Sequence, residues 1–283
     1  MDPVDRVEYP FADRWLHLGG GQLHYLDEGE GAPVLLLHGN PTWSFLYRKV
    51  IAAVRHRCRC IAPDYPGFGL SDHPSGYGYR PFEHAQWIAE LLERLELEPF
   101  LLVGHDWGGP IGLSLAVQQP QRVKGIVLSN TWCWPPELRV RIFSWIMGGP
   151  LGKYLNLRHN FFARAIVRIG IARPEARSKA VLRAYADRFP DRASRLGTYV
   201  FPRSLRTDAA WLSAIESKLP VLGHVPVELV WGLRDPAFGH EGALRKWKHS
   251  FPRAQIDRVA DASHYVPEDR PDRIAEALLR IVG

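Results

Sequence analysis

Short apolar runs alternate with amphipathic stretches along this chain, and this alternation restricts the possible folds more than any other feature. Five runs bounded by turn residues have the length and composition of strands buried on both faces. They cover residues 34–38, 60–64, 100–104, 123–129 and 227–231. Residues 82–97 carry apolar side chains at three- and four-residue spacing, as one buried helix face requires. The pattern predicts an α/β fold in which helices flank a mostly parallel central sheet.

The start of the chain departs from the parallel pattern. Two short stretches within residues 16–26 surround three consecutive glycines, Gly19 to Gly21. Glycines in a short loop between strand-like stretches are typical of a hairpin. We therefore expect an antiparallel beginning to the sheet.

The alternation stops between residues 131 and 217, where arginine-rich helical patterns with aromatic faces replace the strands. An insertion between two strands of one sheet forms a cap over its carboxyl edge, where open α/β folds bind ligands. We expect a core α/β domain of residues 1–130 and 218–283 and a helical cap domain of residues 131–217.

The charge of the chain is concentrated in that insertion. Residues 131–217 contain fifteen lysines and arginines and six acidic residues, a local charge of +9, whereas the whole chain carries +6. The segment has no recognised nucleic-acid motif, and its basic residues are interleaved with bulky apolar ones expected to pack on the sheet. We therefore expect no nucleic-acid partner.

Length and composition exclude several other classes. The 283 residues can bury a substantial core, and an apolar fraction of 46% argues against disorder. The three cysteines, Cys58, Cys60 and Cys133, are too few for a disulfide framework and form no zinc motif. A secretory signal pattern and an apolar run of about 18 residues are both absent. These features predict a cytoplasmic protein without a structural metal or a membrane partner.

The strongest local signal is the GHDWGG motif at residues 104–109, which follows a predicted strand and precedes a helical pattern at residues 111–117. This is the context of a nucleophile elbow, in which glycines permit the sharp turn that lifts the central side chain clear of the sheet. The central residue here is Asp106, and the adjacent helix N-terminus favours a negative charge.

An aspartate nucleophile implies a two-step chemistry. A carboxylate with an ordinary pKa of about 3.9 is charged at neutral pH and attacks a saturated carbon without a base. The resulting alkyl ester must then be hydrolysed by water, which a general base activates. Folds with a nucleophile elbow carry a catalytic triad whose members follow along the chain in the order nucleophile, acid and histidine. His264, before the last predicted helix at residues 272–282, is the expected base, and Asp235, after the run at 227–231, is the expected acid.

Two neutral hydrogen-bond donors complete the predicted site. The HGNPTW segment at residues 38–43 follows the first long apolar run, where the fold places one backbone N–H of an oxyanion hole. The residue after the nucleophile, Trp107, supplies the second N–H. The Asn40 amide and the Trp107 indole add neutral side-chain donors, which suit a large, weakly hydrated anion such as chloride or bromide.

These motifs together resemble those of the haloalkane dehalogenases of the α/β-hydrolase superfamily. The resemblance extends over residues 38–48, 64–72 and 104–109 and the loops of Asp235 and His264. It implies that Asp106 is the nucleophile, His264 the base and Asp235 the acid. It also implies that Asn40 and Trp107 bind the halide and that no cofactor is needed.

The same motifs also fit related activities. The pairing of Asn40 with Asp235, and Asn130 where other members carry a glutamate, resembles the subfamily often called type III. Close relatives of that subfamily include β-lactone decarboxylases of olefin biosynthesis, which would use the same triad. Epoxide hydrolases share the Asp-Trp elbow, but typically have phenylalanine at the position of Asn40 and use two cap tyrosines. A non-catalytic binding protein is disfavoured because all three triad residues are present.

The expected function is therefore hydrolysis of a haloalkane to an alcohol and a halide ion in a dry, apolar cavity beneath the cap. The partners implied are a halogenated alkane and the halide ion. We expect cavity walls among the aromatic residues of the insertion and its flanks, namely Trp134, Phe143, Phe161, Phe162 and Trp211.

Overall fold

The computed structural model describes residues 6–97 and 99–283. Within these ranges, eight strands form one sheet in the order β1-β2-β4-β3-β5-β6-β7-β8. The strands are β1 (Arg14–Leu18), β2 (Gly21–Glu28), β3 (Ala32–Leu37), β4 (Cys58–Pro63), β5 (Phe100–His105), β6 (Val123–Ser129), β7 (Val227–Gly232) and β8 (Gln255–Val259). β2 runs antiparallel to β1 and β4, and the remaining neighbours are parallel. The predicted α/β architecture is confirmed.

The helices flank both faces of this sheet and also cover the carboxyl ends of its strands. They are α1 (Arg48–Val54), α2 (Pro81–Arg94), α3 (Gly108–Ala116), α4 (Leu138–Met147), α5 (Pro150–His159), α6 (Val167–Gly170), α7 (Lys179–Ala186), α8 (Leu196–Thr207), α9 (Ala209–Lys218), α10 (Glu241–Ser250), α11 (Val266–Asp269) and α12 (Pro271–Val282). Helices α1 and α12 pack together on one face, and α2 and α3 pack together on the other.

Alternation along β3 shows how the sheet builds two cores. Leu35 and Leu37 belong to the core with α2 and α3, whereas Val34 and Leu36 belong to the core with α1 and α12. All four side chains are fully buried, as expected for a central parallel strand with side chains alternating between two covered faces.

The two edges of the sheet differ in how well the sequence predicted them. The expected hairpin is present, because β1 pairs antiparallel with β2 around Gly19 and Gly20, both of which have a positive φ. Strand β8 was not predicted. Two of its five residues are exposed and two are partly buried, and Gln255, Asp257 and Arg258 are polar, so it lacks the apolar run that marks the inner strands.

Helices α4 to α9 occupy the chain between β6 and β7, above the carboxyl ends of the strands. Several contacts join them to the loops at that edge. The Trp43 indole donates to the carbonyl of Ala184, and the backbone N–H of Tyr265 donates to the carbonyl of Gly170. In the described part of the chain, no helix is long and apolar enough to span a membrane.

Candidate active site

Asp106 lies at the tight turn between β5 and α3. Its φ is +50°, in the left-handed region that side chains rarely adopt. The Asp106 carbonyl accepts hydrogen bonds from the Gly109 N–H at 3.1 Å and from the Thr131 hydroxyl at 2.5 Å. A Cβ at Gly108 would lie 1.9 Å from the carbonyl oxygen of Leu37, so the turn requires glycine there. The elbow geometry therefore follows from the local sequence.

The loop after β3 closes over the Asp106 carboxylate. The backbone N–H of Asn40 donates to Oδ1 of Asp106 at 2.8 Å. Gly39 permits this approach, because a Cβ at that position would lie 2.3 Å from the same oxygen. One carboxylate oxygen is thus held by a backbone donor, and the other faces His264.

His264 lies between the two predicted aspartates. Its Nδ1 is 2.8 Å from Oδ2 of Asp235, and its Nε2 is 3.5 Å from Oδ2 of Asp106. Asp235 comes from the loop after β7, and His264 from the loop after β8. Three segments far apart in the chain therefore bring one imidazole between two acidic side chains.

Electrostatics favour the protonated form of this histidine. Burial alone would lower the pKa of His264, but the charge of Asp235 and the contacts with both aspartates outweigh it and raise the pKa to about 10. Burial opposes ionisation of Asp235 as well, yet the charge and hydrogen bond of His264 lower the pKa of this carboxyl group. These contacts favour the imidazolium form of His264 in the free protein at neutral pH.

Two residues that the sequence did not single out as part of the site hold the triad in place. Asn130, directly after β6, donates from Nδ2 to Oδ2 of Asp235 at 2.8 Å, and its Oδ1 accepts the Gly232 N–H at 2.8 Å. His105 donates from Nε2 to the carbonyl of His264 at 2.8 Å. Burial and the neighbouring His264 lower the pKa of His105 to about 4, so it remains a neutral donor. The position of Asn130 directly after a predicted strand is the feature of the sequence that could have indicated its role in the site.

The Asn40 side chain is held from the cap. Its Nδ2 donates to the carbonyl of Thr198 in α8 at 3.1 Å. In a regular helix this carbonyl would accept the N–H four residues later, but that residue is Pro202, which has none. Proline therefore leaves an acceptor that fixes the Asn40 amide. The Trp107 indole, in contrast, has no acceptor among residues 6–97 and 99–283, and it lines the same cavity as Asn40.

The triad and both donors line a cavity of about 320 Å³. Besides these five residues, its wall is mostly apolar and includes Trp132, Val140, Ile166, Leu205 and Phe238. The Trp132 ring stacks on Phe238 and meets Trp107 edge-on at 4.9 Å between centroids. The described residues contain no group of histidine, cysteine and acidic side chains placed to hold a metal ion.

The structure separates the five aromatic residues expected in the cavity wall. Phe143 and Phe162 line the cavity, but Trp134, Phe161 and Trp211 do not. Trp134 packs edge-on against Trp247, Phe161 packs edge-on against Phe162, and Trp211 borders the core beneath the cap. Helical periodicity predicts which face of a helix is apolar, but not which apolar residue faces the cavity and which packs elsewhere.

The cap tyrosines available for epoxide activation lie outside the cavity. Tyr185 donates to Glu268, Tyr199 donates to the carbonyl of Gly148, and Tyr154 is exposed. Tyr265 is the tyrosine among the wall residues, and its hydroxyl donates to the Asn40 carbonyl. This arrangement lacks the tyrosine pair that epoxide opening would use.

Comparison with known proteins agrees with this geometry. Residues 32–271 match the α/β-hydrolase fold family. The chain is 43% identical over 278 residues to haloalkane dehalogenase 2 of Mycobacterium tuberculosis, covering 97% of this chain and 96% of that protein. The chain belongs to the haloalkane dehalogenase family of α/β hydrolases. Members of this family are hydrolases that act on carbon–halide bonds.

Further similarities extend to structure and to a second activity. The crystal structure of an ancestral haloalkane dehalogenase, AncHLD2, superposes with a TM-score of 0.86 at 26% identity, covering 95% of this chain and 98% of that one. A cis-3-alkyl-4-alkyloxetan-2-one decarboxylase of Shewanella oneidensis is 36% identical over 276 residues, covering 94% of this chain and 86% of that protein. The dehalogenase relative is thus the more similar of the two.

Proposed function

We propose that this haloalkane dehalogenase homologue converts a small or medium haloalkane and water into an alcohol, a halide ion and a proton. Asp106 is the nucleophile and His264 the general base. Asp235 is the acid that orients the histidine and stabilises its protonated form. The observation that carries this proposal is that His264 lies between Asp106 and Asp235, beside two neutral donors in a mostly apolar cavity.

In the first step, Oδ2 of Asp106 attacks the halogen-bearing carbon. A carbon–oxygen bond forms, the carbon–halogen bond breaks, and the halide leaves with the bonding electron pair. The Trp107 indole N–H and the second N–H of the Asn40 amide stabilise the departing anion. The apolar wall strengthens these interactions because it excludes water from the developing charge.

In the second step, water hydrolyses the ester. Esterification removes the negative charge of Asp106, which is one of the causes that raise the pKa of His264. The histidine then loses its proton more readily and accepts one from water, whose oxygen attacks Cγ of Asp106. The Asn40 backbone N–H stabilises the oxyanion on Oδ1. The Cγ–Oδ2 bond then breaks, and Oδ2 leaves as the alcohol oxygen with the proton that His264 took from water. The water oxygen remains in the Asp106 carboxyl group, which loses its proton to complete the cycle.

The direct test follows bromide release from 1-bromobutane or 1,2-dibromoethane. Asp106→Ala should abolish release, whereas His264→Ala should allow the first step and stop the second. Mass spectrometry of His264→Ala after incubation with 1-bromobutane should then show one added butyl group per chain. If the wild-type protein releases no bromide, the dehalogenase proposal is wrong, and if His264→Ala gains no mass, the two-step scheme is wrong.

Decarboxylation of a β-lactone is the second candidate, supported by the similarity to the Shewanella oneidensis decarboxylase. The same wild-type protein incubated with a cis-β-lactone distinguishes the two activities, because decarboxylation produces an alkene and no halide. Alkene formation without bromide release from either haloalkane would favour the decarboxylase.

A further inference from the structure

Large apolar side chains that face solvent are concentrated in one part of the cap. Among the described residues, twelve large hydrophobic side chains are exposed, and eight of them lie between residues 138 and 169. They are Leu138, Ile142, Phe143, Trp145, Ile146, Leu151, Tyr154 and Ile169. A soluble surface rarely gathers so many, and such patches usually mark an interaction site. We call these eight residues the cap patch.

Helix α4 carries the centre of the cap patch as a continuous stripe. Four exposed residues follow the i, i+4, i+7, i+8 spacing of one helix face. They are Leu138, Ile142, Trp145 and Ile146, with exposed fractions of 62%, 50%, 63% and 48%. At about 100° per residue, Arg139 and Arg141 lie about 80° to either side of this stripe. The core-facing side of α4 is formed instead by Ser144 and Met147.

The cap patch lies in a segment without acidic residues. Residues 138–174 contain no aspartate or glutamate, but they contain six arginines and one lysine. An exposed apolar stripe bordered by cations matches helices that lie in the interface of an anionic lipid bilayer. In such helices, long arginine stems cover the apolar surface while their charged ends reach the headgroups.

We propose that the cap patch binds the surface of a bilayer containing anionic phospholipids, with the exposed stripe of α4 inserted among the acyl chains. A second copy of this chain is a poorer occupant, because it would present the same arginine-containing segment without acidic residues, so the two positive surfaces would repel. The expected lack of a membrane partner rested on the absence of a spanning segment, and surface binding needs none.

The cap patch also borders the entrance to the active-site cavity. Phe143 and Ile169 are exposed, at 39% and 66%, and both line that cavity. An apolar substrate dissolved in the bilayer would therefore meet the cavity wall without crossing open water. This consequence rests on the proposed function, whereas lipid binding itself does not.

The test is co-sedimentation of the full chain with vesicles of phosphatidylcholine alone or mixed equally with phosphatidylglycerol. Binding should require phosphatidylglycerol. Trp145→Ser/Ile146→Ser should weaken it by about tenfold or more, and Arg141→Gln/Lys153→Gln by about fivefold for each cation removed. Trp15→Ser is the matched control, since Trp15 is 50% exposed on β1, and it should bind as the wild type does.

Three results would overturn the proposal. The first is that the wild-type protein fails to bind anionic vesicles, and the second is that Trp15→Ser loses as much vesicle binding as Trp145→Ser/Ile146→Ser does. The third is a dimer in gel filtration that Trp145→Ser/Ile146→Ser dissociates. Bromide release from a water-soluble haloalkane provides an independent control. Neither Trp145 nor Ile146 lines the cavity, so the double variant should keep this activity while losing vesicle binding. Failure of the dehalogenase proposal would leave the vesicle result unaffected.

Discussion

Replacing Pro202 with alanine should weaken halide binding while it stabilises the fold. The new backbone N–H at position 202 would bond to the carbonyl of Thr198, which in the native protein accepts the Asn40 amide. The amide would then compete with this N–H for the Thr198 oxygen, and the bond that fixes its orientation would weaken. The two effects have opposite signs because the helix gains the hydrogen bond that the halide donor loses.

The magnitudes follow from these contacts. Loss of one neutral hydrogen bond costs about 0.5–1.5 kcal/mol, which corresponds to a rise of about 2- to 13-fold in the bromide Kd. Replacing an interior proline stabilises a helix by about 3 kcal/mol. The loss of two buried ring carbons offsets about 1.6 kcal/mol of this stabilisation. Net stabilisation of about 1 kcal/mol raises the Tm of a chain this long by about 2 °C.

Inhibition of turnover by the product bromide gives the bromide Kd, and thermal unfolding of the same samples gives the Tm. Leu205→Ala is the matched control, because Leu205 lies on the same helix and lines the same cavity. It should destabilise the protein by about 2–5 kcal/mol and change the bromide Kd by less than about twofold, since it adds no N–H near Thr198. An unchanged bromide Kd in Pro202→Ala, or a fall in Tm, would refute the reasoning.

Three further predictions concern the polar networks. Asn130→Leu removes a donor to Asp235 and leaves the Gly232 N–H unpaired. Calorimetry should therefore show that the free energy of unfolding falls by about 1–3 kcal/mol, and kcat should also fall. Unchanged values would exclude a supporting role for Asn130. Because His264 is protonated in the free protein, the bromide burst in stopped-flow experiments should hardly vary between pH 6 and 8, whereas the hydrolytic step should slow as pH falls. Equal pH dependence of both steps would contradict this. The charge of Asp64 raises the pKa of buried His24 above 6.5 despite burial, so the stability difference between wild type and His24→Gln should be complete below pH 6.5 and decrease as pH rises through the folded-state pKa. A difference that grows with pH would contradict this reasoning.

Prediction from sequence succeeded where short-range patterns carry the information. The inner strands are apolar runs because both faces of a central strand are covered, as the buried residues of β3 show. Strand β8 lies at the edge and is partly exposed, so its polar residues concealed it. Glycines around Asp106 marked the elbow because the turn leaves no room for a Cβ at Gly108.

The sequence by itself determined the inner strands of the core, the elbow at Asp106, the position of Asp235 after its strand and that of His264 before the last helix. These features depend on side-chain alternation and on backbone freedom within a few residues. The cap was different, because periodicity does not specify how a helix is rotated against its neighbours. Only the tertiary structure joined Asn40 to Thr198, 158 residues later in the chain. It also decided that Trp145 and Ile146, expected to pack inward, face solvent.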